Sequence, residues 1–159
     1  MAVDRRRFFR VVVIFAAVFA YSTIVVGGTV RSMGAGLACP DWPLCEGAVV
    51  PDLSRTAIAA EWTHRVVALS TSAFLGLTMA AAVLWYRTNR VLVFLASTSV
   101  MLLAAQVTLG ALTITSQLDP AIVTGHLAIA TAVFASALTV AILSMRLPDG
   151  RAPMGTAAA

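Results

Sequence analysis

The chain has 159 residues, of which 60% are hydrophobic, and its mean hydropathy is +0.92. This content exceeds the roughly 45–50% apolar residues of ordinary soluble domains, so a small soluble protein is excluded. The net charge of +4 comes from eleven arginines without any lysine. Because these arginines are divided among several loops instead of forming one basic face, nucleic-acid binding is not expected.

Four uncharged runs are long enough to cross a membrane: residues 11–30, 66–86, 91–118 and 121–145. About 20 residues suffice, since a helix rises ~1.5 Å per residue. The sequence therefore predicts an all-α fold, an integral membrane four-helix bundle with up-down-up-down topology. The predicted helices cover about residues 8–26, 57–85, 91–116 and 121–145. They form a single domain, residues 1–146, followed by a short disordered cytoplasmic tail, residues 147–159.

The arginines predict the orientation in the cell membrane. Most of them lie before the first run, between the second and third, and after the fourth: Arg5, Arg6, Arg7, Arg10, Arg87, Arg90, Arg146 and Arg151. The positive-inside rule then places both termini in the cytoplasm and the other two loops outside. We expect residues 1–30 to be a retained helix, because the apolar run is longer than a signal-peptide core and no Ala-x-Ala site closes it.

The first outer loop is expected between residues 27 and 56, with Gly27-Gly28 loosening the end of the first helix. Cys39 and Cys45 flank a proline-containing turn in this loop, which makes a disulfide feasible in an oxidising compartment. The disulfide would be structural or redox-active, and two free thiols are the alternative. A metal site would need more ligands than two cysteines. Trp42, between them, lies either at the membrane surface or over a ligand.

The second helix opens with Glu61-Trp62-Thr63-His64-Arg65. Glu61 and His64 are spaced i,i+3 and share one face. Glu61 and Arg65 are spaced i,i+4, so an ion pair on the helix surface is the alternative to a functional role for these two residues. His64 is more informative, since ionisable groups at this depth usually face the interior of a bundle and have a function.

The third helix carries a stripe of polar and small residues: Gln106, Gly110, Thr113 and Gln117. Such a stripe is typical of close helix packing, and the functional alternative is that Gln106 or Thr113 contacts a bound polar group. Asp119 is expected to cap the fourth helix, with Pro120 at its first position. His126 follows in the second turn, where Gly125 leaves room beside it.

The chain has only two histidines, and both lie near the same end of the bundle. Their predicted depths differ by about 3 Å at ~1.5 Å per residue, and helices 2 and 4 are diagonal partners across the core. His64 and His126 could therefore clamp a heme iron, with Arg31 and Arg65 near its propionates. Polar packing, a proton relay or another metal remain alternatives, although zinc or copper would need further ligands.

Several segments resemble the heme A synthase family of cytochrome oxidase assembly: residues 27–31, 34–45, 61–65, 106–113 and 118–127. The resemblance implies a membrane enzyme that oxidises the C8 methyl of heme O, through a hydroxylated intermediate, to the formyl of heme A. It implies that His64 and His126 are axial ligands of a bis-histidine heme b. It also implies that Glu61 lies beside the reacting methyl and that Cys39 and Cys45 pair.

Familiar members of this family have eight helices in two similar halves, whereas this chain resembles one half. A homodimer would provide two bundles. Heme O synthase and cytochrome oxidase subunits are further possible partners. A non-catalytic b-type heme protein that carries electrons or heme is the alternative function, and an assembly factor without heme is a third. Glu61 distinguishes the first two, because an electron carrier has no use for a carboxylate beside the ring edge.

Overall fold

A computed structural model describes residues 4–147, and within them every regular element is an α-helix. The helices are α1 (Arg5–Ser32), α2 (Thr56–Trp85), α3 (Arg90–Thr115) and α4 (Pro120–Met145). All four are long and apolar enough to cross a membrane. The predicted all-α four-helix membrane bundle is thus confirmed, and its orientation in the membrane stays a prediction.

Helix α1 is longer than the sequence indicated. It begins at Arg5, because the Asp4 carboxylate accepts hydrogen bonds from the backbone N–H groups of Arg6 and Arg7 at 3.1 and 3.2 Å. It continues through Gly27-Gly28 to Ser32, so the expected loosening at these glycines is wrong. A membrane offers the backbone no partner outside the helix, and this outweighs the low helix propensity of glycine.

The connection between α3 and α4 is short and tightly turned. Gln117 and Leu118 have positive φ values of 54° and 64°, which are uncommon for residues other than glycine. Asp119 then caps α4, accepting hydrogen bonds from the N–H groups of Ala121 and Ile122 at 2.9 and 3.2 Å. The predicted cap at Asp119 is therefore present, with Pro120 as the first helical residue.

The helices form a ring in chain order. Helix α1 packs against α2 and α4, and α3 packs against α4, while α2 and α3 pack least closely of the neighbouring pairs. Helices α2 and α4 are consequently diagonal to each other, as predicted from the topology. The long loop, residues 33–55, and the α3–α4 loop lie at one end of the bundle, which we call the long-loop end. There Leu118 contacts Gly36, so the two loops touch.

The opposite half of the bundle is solidly packed. Its buried core includes large side chains from all four helices: Phe9, Val13, Leu75, Leu92 and Val140. Arg10 closes this end by donating hydrogen bonds to the carbonyls of Ser144 and Met145 at the end of α4. Leu147, expected in a disordered tail, is instead buried in this core. The rest of that tail lies outside the described residues. Packing is thus dense away from the histidines.

Candidate functional site

A cavity of about 700 Å³ occupies the long-loop end of the bundle. All four helices and the long loop line it, and its size falls within the ~300–1,000 Å³ of typical ligand and cofactor sites. Its walls include all six residues for which the sequence indicated a role in catalysis or heme binding: Arg31, Glu61, His64, Arg65, Gln106 and His126. The fold brings together side chains that are spread from residue 31 to residue 126 of the sequence.

His64 and His126 enter the cavity at similar levels. His64 lies eight residues beyond Thr56, the first residue of α2, and His126 lies six beyond Pro120, the first residue of α4. At ~1.5 Å per residue these positions differ in depth by about 3 Å. Counted from the starts of their helices, the two imidazoles are therefore at nearly one level, on diagonal helices around one cavity.

The imidazoles have unused hydrogen-bonding capacity. Nδ1 of each ring is buried without a hydrogen-bond partner in the described part of the chain. Nε2 of His126 lies 3.3 Å from Nε2 of Gln106, whose own Oε1 is buried and unpartnered. Buried polar atoms normally have partners, so a cluster of unsatisfied ones at a cavity wall indicates a place for a ligand. Gln106, expected to contact a bound group, contacts one of the histidines.

These residues fit a heme better than an isolated metal ion. Within residues 4–147 no group of three or more His, Cys, Asp or Glu side chains is arranged to hold a metal. Zinc and similar ions need three or four protein ligands. A heme iron needs only axial ligands from the protein, because the porphyrin provides the others. Two imidazoles around an apolar cavity match that requirement.

Glu61 and Arg65 form a buried ion pair. Nε of Arg65 lies 3.0 Å from Oε1 of Glu61, and the two side chains are only 14% and 9% exposed, respectively. The sequence left a surface pair open as an alternative. The pair exists, but it is not on the surface, because the long loop covers it. Glu61 also lines the cavity, one helical turn from His64.

Arg65 is principally an anchor for the long loop. Besides the Glu61 bond, its guanidinium donates hydrogen bonds to three loop carbonyls: those of Cys39 at 3.0 Å, Asp41 at 2.8 Å, and Leu44. A guanidinium has five N–H donors, so these four bonds leave one for a ligand. Arg65 was expected near a heme propionate, and with one N–H left it could make only a single hydrogen bond to such a group. Arg31 is exposed, lines the cavity, and remains the better candidate for that role.

The long loop is held in shape by a disulfide and a carboxylate. Cys39 and Cys45 are bonded to each other and are 0% and 1% exposed, as expected for the pair. The Asp41 carboxylate accepts hydrogen bonds from the N–H groups of Glu46 and Gly47 at 2.6 and 2.7 Å. The Gly47 bond above all lowers the pKa of Asp41 below its usual value. Trp42 and Cys45 both line the cavity, so this loop forms its roof.

Sequence reasoning missed two glycines at the site. Gly27 of α1 lies against the His64 ring, and Gly110 of α3 lies against the His126 ring. A Cβ atom added to Gly125, to which the sequence pointed, would meet nothing within 4 Å apart from its chain neighbours and its own helix. The only available signal was that small residues often mark close helix contacts in membranes, and that signal does not identify the contacting side chain.

Comparison with known proteins finds one matching family model and several similar proteins. Residues 10–158 match the COX15-CtaA family model, described as cytochrome oxidase assembly protein. A heme A synthase of Shouchella clausii is 38% identical over 98 residues, covering 62% of this chain and 33% of that relative. A heme A synthase of Bacillus pumilus is 34% identical over 131 residues, covering 79% of this chain and 41% of the relative.

A third relative carries a different name. A protoheme IX farnesyltransferase of Haloarcula marismortui is 35% identical over 123 residues, which cover 76% of this chain and 25% of that protein. This chain therefore spans between a quarter and about two fifths of the length of these three relatives.

Proposed function

Because the chain belongs to the cytochrome oxidase assembly family that includes the heme A synthases, we propose that it is a membrane oxidoreductase of heme A biosynthesis. Its proposed reaction oxidises the C8 methyl of heme O to the formyl of heme A. This is a four-electron oxidation, –CH3 + H2O → –CHO + 4 H⁺ + 4 e⁻, so an external electron acceptor takes part. The observation that carries this proposal is one cavity in which two imidazoles from diagonal helices stand at nearly one level, with a buried carboxylate one helical turn from His64.

In this proposal His64 and His126 would hold the iron of a heme. When bound, the heme supplies the redox chemistry of its iron. The unpartnered ring nitrogens, the apolar cavity and its volume all support this assignment. In the same proposal Arg31 and the remaining N–H of Arg65 bind anionic groups of the heme; both residues line the cavity, and guanidinium groups bind carboxylates strongly.

Glu61 has the proposed catalytic role. Its carboxylate lines the cavity beside the ligand-bearing turn of α2, where the edge of a porphyrin held by His64 would lie. From that position the carboxylate stabilises the positive charge that develops as the methyl group is oxidised, or it accepts a proton that the methyl group loses. Arg65 holds the carboxylate in place.

The walls of the cavity also suit a heme with an apolar tail. Val66 and Leu69 of α2 and Val107 of α3 line the cavity, yet they are 39%, 70% and 40% exposed. The cavity therefore reaches the lipid-facing surface between the two helices that pack least closely. This opening is our proposed route by which a membrane-dissolved heme O enters from the bilayer.

The proposed functional unit is a homodimer. The chain spans 33% and 41% of the two heme A synthases described above, so two copies would provide a comparable number of helices. The relative named protoheme IX farnesyltransferase contains a segment similar to most of this chain. That similarity supports a partner that supplies a farnesylated heme, and we propose heme O synthase as this partner. Cytochrome oxidase subunits are the proposed acceptors of heme A.

One observation favours a second function. Glu61 has a structural partner in Arg65, which in turn holds the long loop, so a carboxylate here is also explained without catalysis. The alternative is a non-catalytic b-type heme protein that carries electrons or heme to oxidase assembly. It needs the two histidines and the cavity, but it does not convert heme O.

Extraction of hemes from cells distinguishes these functions. The chain is expressed in cells that make heme O but have no heme A synthase, and the hemes are separated and identified by mass. The enzyme produces heme A above the level of cells with an empty vector. Recovery of heme O or heme b alone, from membranes that contain the folded protein, would favour the carrier.

A further inference from the structure

Each histidine of the site lies against a glycine of the preceding helix, and this arrangement occurs twice. In the first helical hairpin His64 of α2 faces Gly27 of α1, and in the second His126 of α4 faces Gly110 of α3. In both hairpins, therefore, the imidazole packs against a glycine of the preceding helix.

The contact at Gly27 leaves no space for a side chain. A Cβ atom added to Gly27 would lie 2.9 Å from Cε1, 3.3 Å from Nδ1 and 3.6 Å from Nε2 of His64. A separation below 3.0 Å is essentially never seen for real Cβ atoms, so the ring or the helix would have to move. All three of these nearest atoms belong to the imidazole. The glycine therefore accommodates the ring, and helix-backbone contact does not explain it.

The contact at Gly110 is similar but less tight. A Cβ atom there would lie 3.2 Å from Cε1 and 3.9 Å from Nδ1 of His126. At 3.2 Å the neighbour has to yield by only a few tenths of an ångström. An added methyl group should therefore displace the His64 ring, at Gly27, more than it displaces the His126 ring, at Gly110.

We propose that Gly27 and Gly110 are positioning residues that set where the two imidazoles stand in the cavity. By lacking a side chain, each glycine lets a ring lie directly against the neighbouring helix, which restricts the directions in which the ring nitrogens can point. The consequence for heme rests on the proposed function, whereas the seating of the rings does not. Ligands in a metal site are commonly oriented by such surrounding contacts, whose loss weakens binding.

Alanine substitutions test the proposal without weakening the helices. Gly27 and Gly110 lie within α1 and α3, where alanine is favoured over glycine by about 1 kcal/mol. Gly76 of α2 is a matched control. It has no other atom within 4 Å of an added Cβ beyond its own helix, it is not a neighbour of either histidine in the chain, and it is not among the described residues that line the cavity.

The first measurement uses the heme-free protein. With only two histidines in the chain, ring-¹⁵N labelling of histidine gives two sets of imidazole signals by NMR, assigned with His64→Ala and His126→Ala. Gly27→Ala should shift the His64 signals and leave those of His126 in place. Gly110→Ala should do the converse, with smaller shifts, and Gly76→Ala should change neither. Unchanged His64 signals in Gly27→Ala would overturn the proposal.

The second measurement uses the protein titrated with heme b. Gly27→Ala should bind about 10- to 100-fold more weakly and show a shifted low-spin EPR signal, because one ligand is reoriented. Gly110→Ala should change in the same direction but less, and the control Gly76→Ala should match the wild type. Wild-type affinity and spectrum in Gly27→Ala would contradict the positioning role. If the wild-type protein bound no heme, the proposed function would fail, while the NMR signals would still decide whether the glycines seat the rings.

Discussion

Nε of Arg65 lies 3.0 Å from Oε1 of Glu61, and this ion pair is largely buried between α2 and the long loop. The same guanidinium donates to the carbonyl of Cys39 at 3.0 Å, so one side chain joins the cavity wall to its roof. A buried ion pair needs all its partners, because an unpaired charge in such surroundings is costly. The position of Glu61 in the cavity and the shape of the loop above it therefore depend on each other.

Glu61→Gln tests the role of the carboxylate with little change in shape, since the amide oxygen can still accept the Arg65 hydrogen bond. We expect heme to remain bound and the formation of heme A to fall by about 100-fold or more, as is typical when a group that transfers a proton or stabilises charge is removed. The matched control is Glu46→Gln, whose exposed carboxylate pairs with Arg55 away from the cavity. Heme A formation at the wild-type rate in Glu61→Gln would contradict the catalytic role.

Arg65→Met should destabilise the protein by about 3–5 kcal/mol, because it leaves Glu61 buried without its cation and releases three loop carbonyls. Thermal unfolding in detergent and protease cleavage within residues 33–55 measure the two effects. Arg55→Met removes an arginine from an exposed pair and should cost about 1 kcal/mol or less. Equal losses in the two variants would show that Arg65 does not hold the loop.

The Asp41 carboxylate makes the loop sensitive to acid. The N–H groups of Gly47 and Glu46 stabilise its ionised form, which lowers the folded-state pKa of Asp41 below 3.8. Its stabilising contribution is therefore fully present above pH ~4 and is lost as the pH falls through the lowered folded value. Hydrogen exchange at the Glu46 and Gly47 amides should accelerate beyond the intrinsic pH dependence only in this acidic range.

Asp41→Asn should remove that acid transition and give faster exchange at both amides at neutral pH. Asp52→Asn is the control, since Asp52 accepts a hydrogen bond from the nearby Ser54 N–H and none from residues 46 and 47. If the two substitutions changed exchange at residues 46 and 47 equally, the assignment of Asp41 as the organiser of the turn would be incorrect.

The two cysteines stabilise the roof of the cavity only through the bond between them, so removing one should have the same effect as removing both. Replacing Cys39, Cys45 or both with serine should lower the free energy of unfolding by about 2 kcal/mol in each case, because the bond closes a loop with a sequence separation of 6. Thermal unfolding with and without a reductant provides the comparison. A double variant much less stable than either single variant would mean that each cysteine acts by itself.

The sequence was informative about features that follow from periodicity and charge. Long uncharged runs predicted the four spans, and matched histidine positions predicted that His64 and His126 reach one cavity. The continuation of α1 through Gly27-Gly28 was not predicted. Helix propensities are measured in water, where glycine disfavours a helix, whereas in a membrane the backbone has to keep its helical hydrogen bonds even at glycine. The loop contacts of Arg65 were also inaccessible, since they depend on the path of 23 non-helical residues, 33–55.

The axial ligation of bound heme tests the central claim most directly. The heme-loaded wild-type protein should show the low-spin EPR signal of an iron with two imidazole ligands. His64→Ala and His126→Ala should each lose that signal, because the chain contains no third histidine to replace the missing ring. Retention of the wild-type signal in both variants would contradict the account, since the iron would then be held by other residues.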